Sequence, residues 1–208
     1  MGQRGRAKKG VMIAICGLDG SGKTSVVKRL VAELKGRKLK VHHVKEPHIR
    51  MLKHLFRLYN DPYIDMLLFA VDRLILQPNI KKMLEEGIVI SERCIWDGLC
   101  YQGAAGIPWD RILEINRADW KFRFPDLVVI LDANPEQAYS RILFSAHRKF
   151  KDKWETEDYL RKVRSEFLRL YRHRNKFPGR FHLVDSTETF EDAYRETRRI
   201  VFDFLGIK

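Results

Sequence analysis

Gly17-Leu18-Asp19-Gly20-Ser21-Gly22-Lys23-Thr24 is the run whose residue types and spacing prescribe chemistry most directly. It fits G-x-x-x-x-G-K-[ST] in full, with a short apolar run before it and an amphipathic one after it, so a strand leads in and a helix leads out. Glycines let backbone N–H groups close around phosphate oxygens, and the helix N-terminus adds partial positive charge. Lys23 has the reach for β- and γ-phosphates, the Thr24 hydroxyl suits Mg2+, and Ser25 continues the same turn. Residues 17–25 are therefore expected to bind ATP, with Mg2+ as its companion ion.

A phosphate loop names a ligand class but not a reaction. GTPases, ATPases, helicase motors and small-molecule kinases all use one. The 208-residue chain lacks room for a motor's second domain, and it contains no Asn-Lys-x-Asp run of the guanine-reading kind. A small kinase remains, and such an enzyme needs a second anion site for its acceptor.

Residues suited to that second site follow in a recognisable order. Asp19 lies inside the loop, and Lys45-Glu46-Pro47 follows the second expected strand. Phe69-Ala70-Val71-Asp72-Arg73 falls on a helical stretch, and Glu92-Arg93 follows the third strand. Tyr101-Gln102-Gly103 comes next, and Pro125-Asp126-Leu127 leads through a fourth strand to Leu131-Asp132. Together, over about Val11 to Leu205, this set resembles the thymidylate (dTMP) kinase family.

The resemblance implies roles at the matching positions. Phe69 matches the aromatic that stacks on thymine. Arg73, one helical turn later on the same face, matches an arginine near the acceptor nucleotide. Arg93 matches the arginine that holds the acceptor phosphate beside the transferring group, where two anions must be brought together. Tyr101 matches the aromatic packed under the deoxyribose, with Gln102 beside it in the substrate site. Asp19 matches the loop acid associated with the sugar 3′-hydroxyl. Ala146 to Glu157 resembles the family's mobile lid, placed at about residues 147–156. Gly20 stands where some members carry an arginine, so the resemblance puts the catalytic cation on the lid. Arg148 is the first candidate, with Lys149, Lys151 and Lys153 as rivals.

Four positions depart from the family pattern. Lys45 replaces an arginine before Glu-Pro, keeping the charge of a substrate-binding residue but losing the bidentate fork. Glu92 replaces an aspartate and, with Thr24, is the expected metal-holding pair. Asp97 and Gly98 lie where small hydroxyl or amide residues face the pyrimidine. Asp97 is thus expected at the base, able to accept from thymine N3–H or a cytosine amine.

The elements that must position these groups alternate between strand and helix. Val11–Cys16, Lys40–Val44, Ile88–Ser91, Leu127–Leu131 and Phe181–Val184 read as strands. Helices are expected over Lys23–Lys35, Asp61–Glu86 with a kink or break at Pro78, Trp109–Trp120, Pro135–Ala146, Glu157–Asn175 and Phe190–Leu205. Thr156 is the expected N-cap of the sixth stretch's neighbour, Glu157–Asn175. Continuous apolar strands between helices mean an α/β P-loop kinase fold: one domain, a five-stranded parallel sheet with helices on both faces, and a short lid. Ligands in such sheets sit beyond the carboxyl ends of the strands.

Composition narrows the class further. The chain is 45% hydrophobic and 32% charged, and no apolar run approaches the about 20 residues that cross a bilayer. Residues 1–10, with Arg4, Arg6, Lys8 and Lys9, read as a basic tail rather than a secretion signal. Cys16, Cys94 and Cys100 make neither a disulfide framework nor, with the histidines, a zinc spacing, so a cytoplasmic setting is expected. The net charge of +13 suits an enzyme of two polyanionic substrates, and it also keeps open a P-loop nucleic-acid-binding or regulatory protein. The other reading left open is a kinase of this fold with another pyrimidine nucleotide or a nucleoside as acceptor. Family resemblance adds a homodimer.

Overall fold

The computed structural model describes residues 10–49, 51–59, 61–116, 122–144 and 156–207. The five expected strands all form: β1 (Met12–Gly17), β2 (Val41–Lys45), β3 (Ile88–Glu92), β4 (Leu127–Asp132) and β5 (Arg180–Asp185). Every pairing is parallel, in the order β2-β3-β1-β4-β5. β1 is therefore central, with β3 on one side and β4 on the other. The chain changes direction across the sheet there, and the crevice beyond its carboxyl end is the natural ligand site.

Alternation along β1 divides the core. Ile13 and Ile15 face the layer built by α1 (Lys23–Gly36) and α8 (Phe190–Leu205). Ala14 and Cys16 face the opposite layer. That second layer holds α4 (Ile95–Ala104), α5 (Trp109–Asn116), α6 (Pro135–Leu143) and α7 (Glu157–Arg172). Its centre is Trp96, fully buried, with the rings of Phe124, Phe177 and Phe181 5.2–5.7 Å away. Between β2 and the solvent, α3 (Pro62–Glu86) buries Leu76, Ile80 and Leu84 against Val44 and Val89.

Four helix starts are capped as their sequences suggest. Asp61 and Asn134 accept backbone N–H groups ahead of a proline at the first helical turn, and Thr156 and Thr189 each accept an N–H three residues on.

Several expectations are corrected. Pro78 does not break α3, which runs as one 25-residue helix with Pro78 on its exposed face, where a missing N–H and a displaced turn are tolerated. The helix expected through Asn175 ends at Arg172, and a 3-10 turn covers Arg174–Lys176. Two helices were not expected. α2 (Leu52–Leu58) has only seven residues, and α4 is buried almost all round, so neither shows a usable polar face. The stretches expected to continue to Trp120 and Ala146 are described to Asn116 and Phe144.

Candidate active site

The carboxyl ends of the strands deliver Gly17, Lys45, Glu92, Asp132 and Asp185 to one edge of the sheet. The phosphate loop springs from the central one. At Gly20 the backbone has φ 82°, and a Cβ there would lie 2.2 Å from the Ala138 carbonyl oxygen of α6. Loop and helix backbones are in contact, so no side chain, arginine included, fits at this position. Arg141 of α6 adds a weak hydrogen bond to the Gly20 carbonyl at 3.4 Å, a contact that sequence reading did not single out.

Lys23 is buried with its Nζ donating to the carbonyls of Gly17 and Leu18 at 2.8 and 2.6 Å. The Asp19 carboxylate lies 3.8 Å away. Burial first, and then the Arg93 charge, pull the Lys23 pKa down to about 8; Asp19, Asp97 and Glu92 oppose them. The lysine is thus poised for a ligand that supplies negative charge and fresh acceptors.

Beside it, Thr24 Oγ1 donates to Glu92 Oε1 at 2.6 Å, and Lys45 Nζ donates to the same oxygen. The second Glu92 oxygen, Oε2, is buried and makes no hydrogen bond among the described residues, with the His43 ring 3.8 Å away. Burial raises the Glu92 pKa, but the Lys45 and Thr24 hydrogen bonds outweigh it and hold the group below its ordinary value. An ionised carboxylate with a spare oxygen next to a hydroxyl is a hard, all-oxygen donor set, which fits Mg2+. The two departures noted in the sequence, Lys45 and Glu92, are therefore partners in one contact.

Arg93 has φ 74°, unusual for a side chain of this size, and its guanidinium pairs with the Asp19 carboxylate. It lies 5.4 Å above the Tyr101 ring. The Tyr101 hydroxyl accepts the Asp19 backbone N–H at 2.7 Å, and Tyr159 Oη donates to the Tyr101 carbonyl at 2.5 Å. Asp19, Arg93 and Tyr101 are thus one unit, although 82 residues separate the loop from the tyrosine.

Asp97 is placed otherwise than expected. Its carboxylate is buried under the phosphate loop, accepting Gly17 N–H at 3.3 Å and Cys94 N–H at 3.0 Å. The second bond closes a capping box at the start of α4 and holds the side chain beneath the loop. Burial raises its pKa against the pull of Lys23 and Arg93. Cys16 and Cys94 meet in the same layer with sulfurs 3.4 Å apart, and burial pushes both thiols up. They are packing groups, in keeping with the composition.

Arg73 is buried on α3 and donates from Nε to Glu46 Oε2 at 2.7 Å, so that carboxylate matches its charge. Its Cζ lies 5.7 Å from the Phe69 ring centre, and Phe56 of α2 stacks on Phe69 at 4.5 Å. Gln102 is buried, and neither end of its amide has a partner among the described residues, which leaves a polar group available to a ligand. Ser25 is exposed on the first turn of α1. Arg148, Lys149, Lys151 and Lys153, and with them the lid, lie outside the described residues, as does the basic tail before Gly10.

Glu46, Tyr159 and the bidentate Arg164–Asp132 pair, at 2.7 and 2.9 Å, complete the surroundings. Sequence reading quoted Glu46 and Asp132 within motifs without giving them a partner. The arrangement brings three cations to one sheet edge: Lys23 in the loop, Arg93 on Asp19, and Lys45 on Glu92 beside Thr24.

Residues 15–196 match the thymidylate kinase family model. The chain is similar to a probable thymidylate kinase of Staphylothermus marinus, at 33% identity over 202 residues covering 94% of this chain and 96% of the relative. A probable thymidylate kinase of Pyrobaculum calidifontis is 37% identical over 166 residues, 76% and 81% of the two chains. A thymidylate kinase of Caldanaerobacter subterraneus subsp. tengcongensis is 32% identical over 209 residues, 95% and 97% of the two chains.

Two outcomes follow from the state of Lys23. Bound phosphates favour its charged form, so ATP binding takes up a proton above about pH 8 and none well below it. ATP affinity measured by calorimetry should hold steady up to about pH 8 and then fall, by at most about tenfold per pH unit. A flat profile to pH 10 would contradict the assignment. Separately, Lys23→Ala should fold and yet lose at least about a hundredfold in ATP-dependent turnover, about 3 kcal/mol of transition-state stabilisation.

Proposed function

The chain belongs to the thymidylate kinase family, and from that premise we propose that it transfers the γ-phosphoryl group of ATP to dTMP, giving dTDP and ADP. The observation that carries the reading is the gathering of Lys23, Arg93 and Lys45 at one sheet edge, where Thr24 and Lys45 share a single Glu92 oxygen. A donor phosphate chain on the loop and an acceptor phosphate at Arg93 and Lys45 would meet between them.

Transfer is direct and in line, without a covalent enzyme intermediate, so catalysis is positioning and charge neutralisation. Thr24 and Glu92 would hold Mg2+, which would supply a counter-charge to the donor phosphates. Lys23 exchanges the Gly17 and Leu18 carbonyls for phosphate oxygens. Arg93 turns from Asp19 toward the acceptor phosphate, which leaves the Asp19 carboxylate able to accept from the sugar 3′-hydroxyl. Arg148 on the lid is the proposed further cation, since Gly20 cannot be replaced by one.

Acceptor choice rests on Phe69 and Tyr101. The Tyr101 ring is fixed by its hydroxyl and by the Arg93 guanidinium, which leaves little room for a 2′-hydroxyl beside it. With Asp97 held beneath the loop, no carboxylate opposes the carbonyls of thymine. The protein works as a single P-loop kinase domain in the cytoplasm, with no stable nucleic-acid partner. No helix among the described residues is long and apolar enough to cross a membrane.

A homodimer is supported by α3. Tyr63, Leu67, Val71, Leu74 and Ile75 form a stripe at helical spacing and are 37–52% exposed. A second copy is the proposed occupant, as family membership implies.

Measured kcat/KM should rank dTMP first and dUMP second, with dCMP, UMP and a purine nucleotide behind. A preferred purine, or UMP ahead of dTMP, would sink the acceptor assignment and leave the kinase assignment standing. Sedimentation should give twice the 24.6 kDa chain mass, and Leu67→Glu should give the monomer. A monomeric wild-type chain would remove the dimer.

A further inference from the structure

Asp72 is the most deeply buried carboxylate among the described residues, with no surface open to solvent. It stands next to Arg73 on α3, and no step of the transfer uses it. Its partners are backbone groups. The His48 N–H donates to both carboxylate oxygens at 2.9 Å, and the Ile49 N–H donates to Oδ1 at 2.8 Å. A buried carboxylate is costly unless such donors meet it, so the contact is held firmly.

His48 and Ile49 lie in the connection from β2 to α2, which has functional groups at either end. Before them, Lys45 is paired with Glu92, and Arg73 holds Glu46 at 2.7 Å. After them, the Leu52 N–H donates to the Ile49 carbonyl at 3.2 Å as α2 begins. Phe56 of that helix then stacks on Phe69 at 4.5 Å. Phe69, Asp72 and Arg73 follow one another at i, i+3 and i+4, so one face of α3 meets this stretch at three successive points. Without the middle one, the connection is tied to α3 only at its ends, and its two N–H groups can turn to water.

We infer that Asp72 is a positioning residue for the acceptor site: its carboxylate pins the His48 and Ile49 N–H groups to α3, and so sets the place of Lys45 relative to Phe56 and Phe69. The inference rests on the acceptor reading above, which puts Lys45 at the acceptor phosphate and Phe69 at the base. Asp72 touches neither end of the nucleotide. It fixes the separation between the group that meets the phosphate and the ring that meets the base, which is the length of the nucleotide itself. The phosphate loop springs from β1 and takes no part in this connection.

Asp72→Ala and Asp72→Asn separate the hydrogen bonds from the charge. In the asparagine variant Oδ1 remains and can accept both N–H groups, as it does in the wild-type chain. Asp72→Ala should raise KM for dTMP about tenfold, the effect of losing a hydrogen bond to a charged group. KM for ATP and kcat at saturating dTMP should stay within about threefold. Asp72→Asn should keep KM for dTMP within about threefold of wild type. A merely structural role would lower the melting temperature and move both KM values together or neither, and that pattern would overturn the inference. Should Asp72→Ala fail to fold, amide hydrogen exchange of the wild-type chain without nucleotide decides. The His48 and Ile49 N–H groups should exchange at least about a hundredfold slower than those of an open chain. Exchange at the open-chain rate would overturn the pinning and leave the acceptor reading intact. Absence of dTMP turnover by the wild-type chain would overturn both.

Discussion

A protein that must hold two phosphate groups together has to gather cations in a partly dry place before either phosphate arrives. Charges brought there without partners cost several kcal/mol each. The site meets this constraint by pairing. Lys23 leans on loop carbonyls near Asp19, Arg93 on Asp19, Lys45 on Glu92 and Arg73 on Glu46. Three of these cations have partners that a phosphate or a metal ion can replace. The fourth, Arg73, is locked to a buried glutamate. Binding is then an exchange of partners rather than the creation of new charge contacts, which keeps the empty site folded and the loaded one neutral.

The sheet makes such pairing possible. Its parallel order puts β3 and β2 on one flank of β1, so Thr24 reaches Glu92 across 68 positions of sequence and Lys45 reaches it across 47. α4 then runs beneath the loop and supplies Asp97 as a brace and Tyr101 as a wall. Few of these contacts are local, and each depends on strand register being held by the apolar alternation of β1.

The phosphate loop was legible because its chemistry is local: eight consecutive residues carry it. The strands were legible because buried parallel strands read as unbroken apolar runs. α4 was not, since a helix buried all round loses the polar face that gives helices their period. The direction of Asp97 was hidden for the same reason, because it follows from where α4 begins. Lys45 and Glu92 were each noticed as departures, yet their partnership needs the register of β2 on β3. Asn116 belongs to no motif, and only the packing of α5 against α3 reveals its bond to Arg73.

The central claim is that donor and acceptor sites adjoin at one sheet edge. The most direct measurement is calorimetric binding of adenosine and thymidine joined 5′ to 5′ through a chain of phosphates. The account predicts one molecule bound per chain, at least about a hundredfold tighter than ATP or dTMP alone, because a single ligand then engages the cations of both sites. Binding no tighter than that of the better single nucleotide would contradict it.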